Sequence, residues 1–391
     1  MKHIRFDTAL KFVVLLGLVS LFSDMTYEAA RSLNGTFLKI LGASGSTVGI
    51  VAGLGELIGY GLRFFSGYLA DRTKKYWTIL IAGYVLNLFS VPLLALAGYW
   101  EVAVILMIAE RTGKALRTPA RDALLSFGTQ KIGRGWGYGL HEAMDQIGAT
   151  AGPLLVSGVL FFRNQNYQMA YALLAIPAII AVSILFYCKN LYPAPGELEI
   201  KKAAVATKGL TKRYWLYLLA VIFIAAGFAD FPIIAYHFKS KAMISDALIP
   251  VYYAAAMAAD ALAALLLGRM FDRKGIQIIL VAVLLSSCFA PMVFLGNAGI
   301  ALAGMIVWGI GMGAQESVLK AEIAGMVPPE KRGTAFGTFN AAYGLFWFAG
   351  SALMGILYDF SLTGLILFSV IAQLISASII LYIILNRSKV V

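Results

Sequence analysis

The stretch Gly67-Tyr68-Leu69-Ala70-Asp71-Arg72-Thr73-Lys74-Lys75 closes a long apolar run. Gly268-Arg269-Met270-Phe271-Asp272-Arg273-Lys274 closes another, at an offset of 201. A second pair of matches lies further along. Arg134-Gly135 and Arg332-Gly333 each open an apolar run at an offset of 198, and at that offset Gly139 matches Gly337 and Gly152 matches Gly350. Two motifs repeated at nearly one offset indicate a duplicated unit.

Around these motifs the chain is apolar throughout. Of 391 residues 60% are hydrophobic and 13% charged, against roughly 25% charged in a soluble domain. Runs of about 18 apolar residues or more are long enough to cross a bilayer as helices. Twelve are predicted, at roughly 10–31, 45–70, 76–98, 101–121, 135–162, 167–188, 213–236, 247–270, 276–296, 298–320, 334–358 and 362–386. The first is longer than a cleaved signal, carries Asp24 and Glu28, and is followed by eleven more.

The net charge of +12 does not require nucleic acid as a partner, because membrane proteins place Lys and Arg in cytoplasmic loops. The alternate loops on one side, with the termini, hold 21 basic residues and those on the other hold 5. Both termini are therefore expected on the cytoplasmic side of a bacterial or archaeal cytoplasmic (inner) membrane. The polar connection 189–212 divides the chain into an N-terminal six-helix bundle, 1–188, and a C-terminal one, 213–391. Cys188 and Cys288 have no metal or redox spacing.

Polarity also sorts the spans. Spans three, six, nine and twelve contain no Asp, Glu, Lys or Arg. A charge facing lipid costs about 2.5–3.5 kcal/mol on the lenient insertion scale, so the charged spans are expected to face a wet interior and every third span to face lipid.

In Gly67, Asp71, Arg72, Lys74 and Lys75, with the weaker copy Gly268, Asp272 and Arg273, the chain resembles the major facilitator superfamily. The resemblance covers its whole length. It implies an all-α membrane fold of two pseudo-symmetric six-helix bundles, spans three, six, nine and twelve at the periphery, and a cytoplasmic gate at the motif. The run Arg111-Thr-Gly-Lys114-Ala-Leu-Arg117-Thr-Pro119-Ala-Arg121-Asp122-Ala looks like the fourth span of a bacterial and archaeal branch whose substrates are mostly unassigned. Ser23-Asp24-Met-Thr-Tyr-Glu28 and Gly139-Leu-His141-Glu142-Ala-Met-Asp145 fit the same branch. Gly148-Ala-Thr-Ala-Gly152-Pro153 is similar to the fifth-span motif of antiporters, with Leu154 and Leu155 in place of the usual glycines.

Span four carries the most unusual chemistry. At 100° per residue Glu110, Arg111, Lys114, Arg117, Arg121 and Asp122 fall within an arc of about 140°. An intramembrane cation marks a pathway or a substrate counter-charge. That reading is taken for Arg111 and Lys114, near mid-membrane. Arg121 and Asp122, near the cytoplasmic mouth, are assigned to the gate, and Arg117 with them to a structural ion-pair network. Asp24 and Glu28, four apart, share a face of span one, as do Glu56 and Arg63 in span two and His141 and Asp145, with Glu142 beside them, in span five. These acids are expected to neutralise span four and to exchange protons. Arg111 and Lys114 are expected opposite Asp24, Glu28 and Glu56. The second half is poorer in charge, with Asp230 and Asp260 single and Glu316 spaced to pair with Lys320.

These residues predict a secondary active transporter of a small molecule. It works by alternating access and is monomeric, with protons and membrane lipids as its other partners. The sequence shows no nucleotide-binding motif, metal motif or activated nucleophile, so no cofactor or metal is expected, the proton gradient is the energy source, and an enzyme is disfavoured. Export by antiport leads, from the Gly148–Pro153 motif. Uptake of an organic anion by symport follows, from the cationic face of span four. A non-transporting receptor or an intramembrane enzyme using His141, Glu142 and Asp145 is the reading from another class.

Overall fold

The computed structural model describes residues 6–132, 134–193, 210–327 and 332–386, and they are almost wholly helical. The first half contains α1 (Phe6–Ile40), α2 (Gly45–Thr73), α3 (Tyr76–Leu93), α4 (Trp100–Ile132), α5 (Arg134–Phe162), α6 (Tyr167–Leu173) and α7 (Ala175–Leu191). The second contains α8 (Lys212–Gly227), α9 (Phe231–Ser240), α10 (Leu248–Lys274), α11 (Gln277–Ser286), α12 (Phe289–Leu295), α13 (Ala298–Met326), α14 (Arg332–Phe360) and α15 (Leu362–Leu385). Three short pairs, α6–α7, α8–α9 and α11–α12, are each one interrupted span. Among the described residues eleven spans are long and apolar enough to cross a bilayer. The twelfth, α4, is long enough at 33 residues, but its charges keep it from reading as apolar.

One interruption has a plain cause. Pro232 in the first turn of α9 has no N–H to give, and Asp230 caps that turn by accepting from the Phe231 amide at 2.9 Å. Asp230, one of the single acids of the second half, is thus a buried capping residue.

Two helices run furthest past their expected ends. α1 continues to Ile40 because Leu33, Phe37 and Leu38 are buried and Gly35 lies directly on the Pro232 carbonyl. α4 continues to Ile132 because Leu124 and Leu125 join the core under α1, and Gly128 seats against Phe12 and Val13. The charges of Arg121 and Asp122 suggested a loop; the apolar residues that follow keep the helix packed.

The duplication reappears in the backbone. Lys74 (φ 55°) and Gly275 (φ 61°), 201 apart, take the left-handed conformation after the second and eighth spans. Gly42 (φ 90°) and Ala242 (φ 48°), 200 apart, do so after the first and seventh. Helices α5 and α14 begin at Arg134 and Arg332, the expected repeat positions.

The chain forms two compact units. One comprises α1 up to Leu33, α2 from Gly61, and α3 to α7; the other comprises the segment Asn34–Tyr60 with α8 to α15. In the first, α3 lies along α4 through small residues: a Cβ on Gly83 would stand 2.7 Å from the Arg117 amide nitrogen, and one on Gly113 at 2.7 Å from the Gly83 carbonyl oxygen. α5 lies on α1 with Gly148 and Gly152 directly over the Leu21 and Met25 carbonyls. In the second unit Gly350 of α14 lies over the Ala226 carbonyl of α8 in the same manner.

Candidate functional site

The close approaches at Gly83–Gly113 and Gly148–Gly152 bring four helices of the first unit around one polar stripe. On α1 the residues Ser20, Asp24, Tyr27, Glu28 and Arg31 recur every three or four positions, so they share a face. On α4 Arg121, Arg117, Lys114 and Arg111 recur in the same way. The two stripes face one another in opposite order, as rungs. All five α1 residues are buried.

At the first rung Arg121 is held on three sides. Its guanidinium lies 2.9 Å from Asp122 and 3.7 Å from Asp145 of α5, and donates to Ser20 Oγ at 3.5 Å. The same Asp145 carboxylate lies 3.4 Å from His141 Nδ1, one turn earlier on α5. At the next rung Arg117 faces Asp24 at 3.7 Å, with side chains 1% and 10% exposed. Its guanidinium is flanked by two rings, with Cζ 4.5 Å from the centre of Tyr84 on α3 and 5.8 Å from that of Tyr27. Lys114 Nζ lies over the Tyr27 ring at 3.7 Å, with Glu28 and Asp24 among the acids around it. At the last rung Arg111 meets its own neighbour Glu110 at 3.4 Å. Glu110 in turn accepts from Asn87 Nδ2 of α3 at 2.7 Å.

Arg117 stands out energetically. Its Nε and Nη1 are buried with no hydrogen-bond partner in the protein, and the pairing to Asp24 is longer than a hydrogen bond. A buried guanidinium normally has its donors satisfied. This one is held by a charge and two aromatic faces, an arrangement that leaves its edge open to an oxygen ligand.

The sequence-derived residues divide as follows. Asp24, Glu28, Lys114, Arg121, Asp122, His141 and Asp145 are brought together, and Arg111 closes the far end against Glu110. Glu142 is exposed and accepts from Gln146 Nε2 at 3.3 Å. Arg63 is half-buried in the first unit and Glu56 belongs to the second, where it is among the charged neighbours of Tyr343. Among the loop-motif residues, a Cβ on Gly67 would meet Pro119 of α4 at an ordinary 3.4 Å, and Gly268 faces open space. Arg72 is exposed and points at the Tyr68 hydroxyl at 3.5 Å; Asp272 and Arg273 are exposed at the end of α10. The Asp71 side chain and most of the 189–212 connection lie outside the described residues. Pro153 is buried inside α5.

Three participants carry no charge signal in the sequence. Tyr84 and Asn87 lie on span three, which its lack of charge marked as lipid-facing. In the structure one face of α3 (Leu80, Tyr84, Asn87, Leu88) is buried, while Val85 and Leu86 are exposed. Tyr27 sits between two acids and reads as an ordinary aromatic. The third-turn spacing of Leu80, Tyr84 and Asn87 was the available signal.

Comparison with known proteins agrees with this architecture. A family model described as Major Facilitator Superfamily matches residues 16–351, with a second match over 231–390. An uncharacterized protein of Mycobacterium tuberculosis is 40% identical over 375 residues, covering 94% of this chain and 92% of its own length. An uncharacterized MFS-type transporter of Methanocaldococcus jannaschii is 27% identical over 383 residues, covering 95% of each chain. A crystal structure of a variant of the nucleoside transporter NupG superposes with a TM-score of 0.76 at 12% identity, covering 95% of this chain and 99% of that one. At that identity the likeness concerns the fold.

Proposed function

The chain belongs to the Major Facilitator Superfamily, and on that premise we propose that it is a proton-coupled transporter whose proton binds at Asp24 in exchange with Arg117. Membership makes it a multi-pass membrane transporter of the secondary kind rather than an enzyme. Proton coupling is our reading. Its support is the Asp24–Arg117 pair: a carboxylate and a guanidinium, both buried, at 3.7 Å and without a hydrogen bond. Protonating Asp24 releases the guanidinium, and deprotonating it restores the pair. A group with two such states is what a coupled cycle requires.

Export of a small molecule by antiport is the direction the Gly148–Pro153 motif supports. A second reading, symport of an organic anion, is favoured by the unmatched donors of Arg117 and by Lys114 Nζ, which rests on a ring face. Purified protein in liposomes containing a pH-sensitive dye separates these readings. Addition of the transported compound outside is expected to raise the internal pH for antiport and to lower it for symport. Asp24→Asn is expected to abolish that signal while counterflow of labelled compound persists. Counterflow with no proton movement in the wild type would reject coupling, and binding without counterflow would indicate a receptor.

The proposed orientation places both termini and the 189–212 connection in the cytoplasm of a bacterial or archaeal cell. The basic asymmetry supports it. A cysteine replacing Lys201, in a chain lacking Cys188 and Cys288, is expected to react with an impermeant maleimide only after cells are permeabilised. Labelling in intact cells would invert the topology.

A further inference from the structure

The polar stripe contains more unsatisfied atoms than Arg117 alone. Ser23 Oγ, Tyr84 Oη, Arg117 Nε and Nη1, His141 Nε2 and Asp145 Oδ1 are all buried and lack a hydrogen-bond partner within the protein. They come from α1, α3, α4 and α5, the four helices around the stripe. Most buried polar atoms in folded proteins are partnered. Where the protein supplies no partner and the site is polar, water does. Six such atoms on four helices give the stripe donors and acceptors that water can bridge.

The register of α1 and α5 gives the stripe a direction. Gly148 lies over Leu21 and Gly152 over Met25, so residues of α5 stand level with α1 residues about 127 lower in number. At 1.5 Å per residue, Asp145 lies about 9 Å and His141 about 15 Å from the level of Asp24, toward the starts of both helices. His141 is therefore nearer the solvent at that end, Asp24 is deepest, and Asp145 is between them. Asp145 is among the charged groups around Asp24.

We propose that His141 and Asp145 relay protons between the solution at the starts of α1 and α5 and the buried Asp24. This rests on the reading of Asp24 as the proton site and assigns its route. His141 Nδ1 faces the Asp145 carboxylate at 3.4 Å, while Nε2, on the other edge of the ring, has no hydrogen-bond partner within the protein. A hydronium gives its proton to Nε2 and leaves as water. Nδ1 then gives its own proton to Asp145 Oδ2, and the imidazole is left neutral with hydrogen on Nε2. From Asp145 the proton passes through water to Asp24, which releases Arg117. Reversal, or tautomer exchange through water, resets the ring.

The surrounding charges suit this sequence. Asp145 faces Arg121 from α4, His141 on its own helix, Ser20 and Asp24 from α1, and Tyr84 from α3. Asp24 faces Arg117 and Lys114 from α4, Tyr27 and Glu28 on its own helix, Asp145 from α5 and Tyr84 from α3. Arg121 keeps its charge throughout, since a guanidinium does not titrate in proteins. It orients Asp145 without competing for the proton.

The test needs no knowledge of the substrate. Purified protein is taken rapidly from about pH 8 to about pH 5, across the range where an imidazole titrates, while the carboxylic C=O stretch is followed by infrared absorption. The band lost in Asp24→Asn identifies Asp24. In His141→Gln that band is expected to grow at least about tenfold more slowly, to the same final amplitude, in a protein that melts close to the wild type; in Asp145→Asn, whose charge also bears on Asp24 and Arg121, the rate alone is compared and is expected to fall likewise. A residue that merely supported the fold would change the melting temperature or the amplitude instead. Wild-type rates in both variants would overturn the relay. Absence of any Asp24 band in the wild type would overturn the proton site itself, a result separable from the first.

Discussion

Arg117→Leu is expected to unfold at markedly lower temperature than the wild type, with a loss of about 3–5 kcal/mol, the usual cost of removing one partner of a buried ion pair. Asp24 would then remain as a buried carboxylate, 7% exposed, with its paired guanidinium gone. Adding Asp24→Asn to Arg117→Leu removes that charge and is expected to recover most of the stability but none of the proton coupling. Arg111→Leu is expected to cost less, because Arg111 is 12% exposed and pairs with a neighbour that Asn87 also holds. Thermal or denaturant unfolding in one detergent compares the four proteins. If Arg117→Leu were no less stable than Arg111→Leu, or if the double variant were less stable than Arg117→Leu, the Asp24–Arg117 pair would not be the centre of the site.

Gly152→Ala is the second large effect expected. An added methyl group would be driven into the Met25 carbonyl, part of the α1 backbone, which cannot turn aside as a side chain can. Overpacking of this kind costs about 1–3 kcal/mol, occasionally more. It would also shift α1 relative to α5 and misalign Asp24 with Asp145. Gly350→Ala is expected to do the same against the Ala226 carbonyl in the second unit. Gly158→Ala, on the same helix as Gly152 but with nothing within 4 Å, is expected to be neutral or to gain up to about 1 kcal/mol from helix propensity. Equal melting of Gly152→Ala and Gly158→Ala would show that the seam yields and that the contact is not limiting. A confirmed difference would give the Gly148–Pro153 motif a packing role that holds whichever direction the substrate moves.

The amino-acid sequence by itself determined the class of this protein. Apolar runs of bilayer length, the repeated Gly-to-Asp-Arg motif and the matched openings at Arg134 and Arg332 all follow from local composition and spacing, and membrane helices depend on little else, because each satisfies its own backbone hydrogen bonds. The stripes on α1 and α4 were legible for the same reason: residues three and four apart must share a helix face. Which rung faces which acid was not legible. Depth counted along each helix placed Arg111 and Lys114 opposite Asp24, Glu28 and Glu56. In the structure Arg117 faces Asp24, Lys114 lies on the Tyr27 ring with Glu28 among its acids, and Arg111 turns to Glu110. That register depends on how far one helix slides along another before Gly83 meets Gly113 and Gly148 meets Leu21, a matter of backbone contact between segments distant in the chain. Tyr84 and Asn87 are neutral residues of an uncharged span and carry no signal of their own; only the packing of α3 on α4 turns them inward, where Tyr84 flanks the buried Arg117 guanidinium and Asn87 holds Glu110, the partner of Arg111.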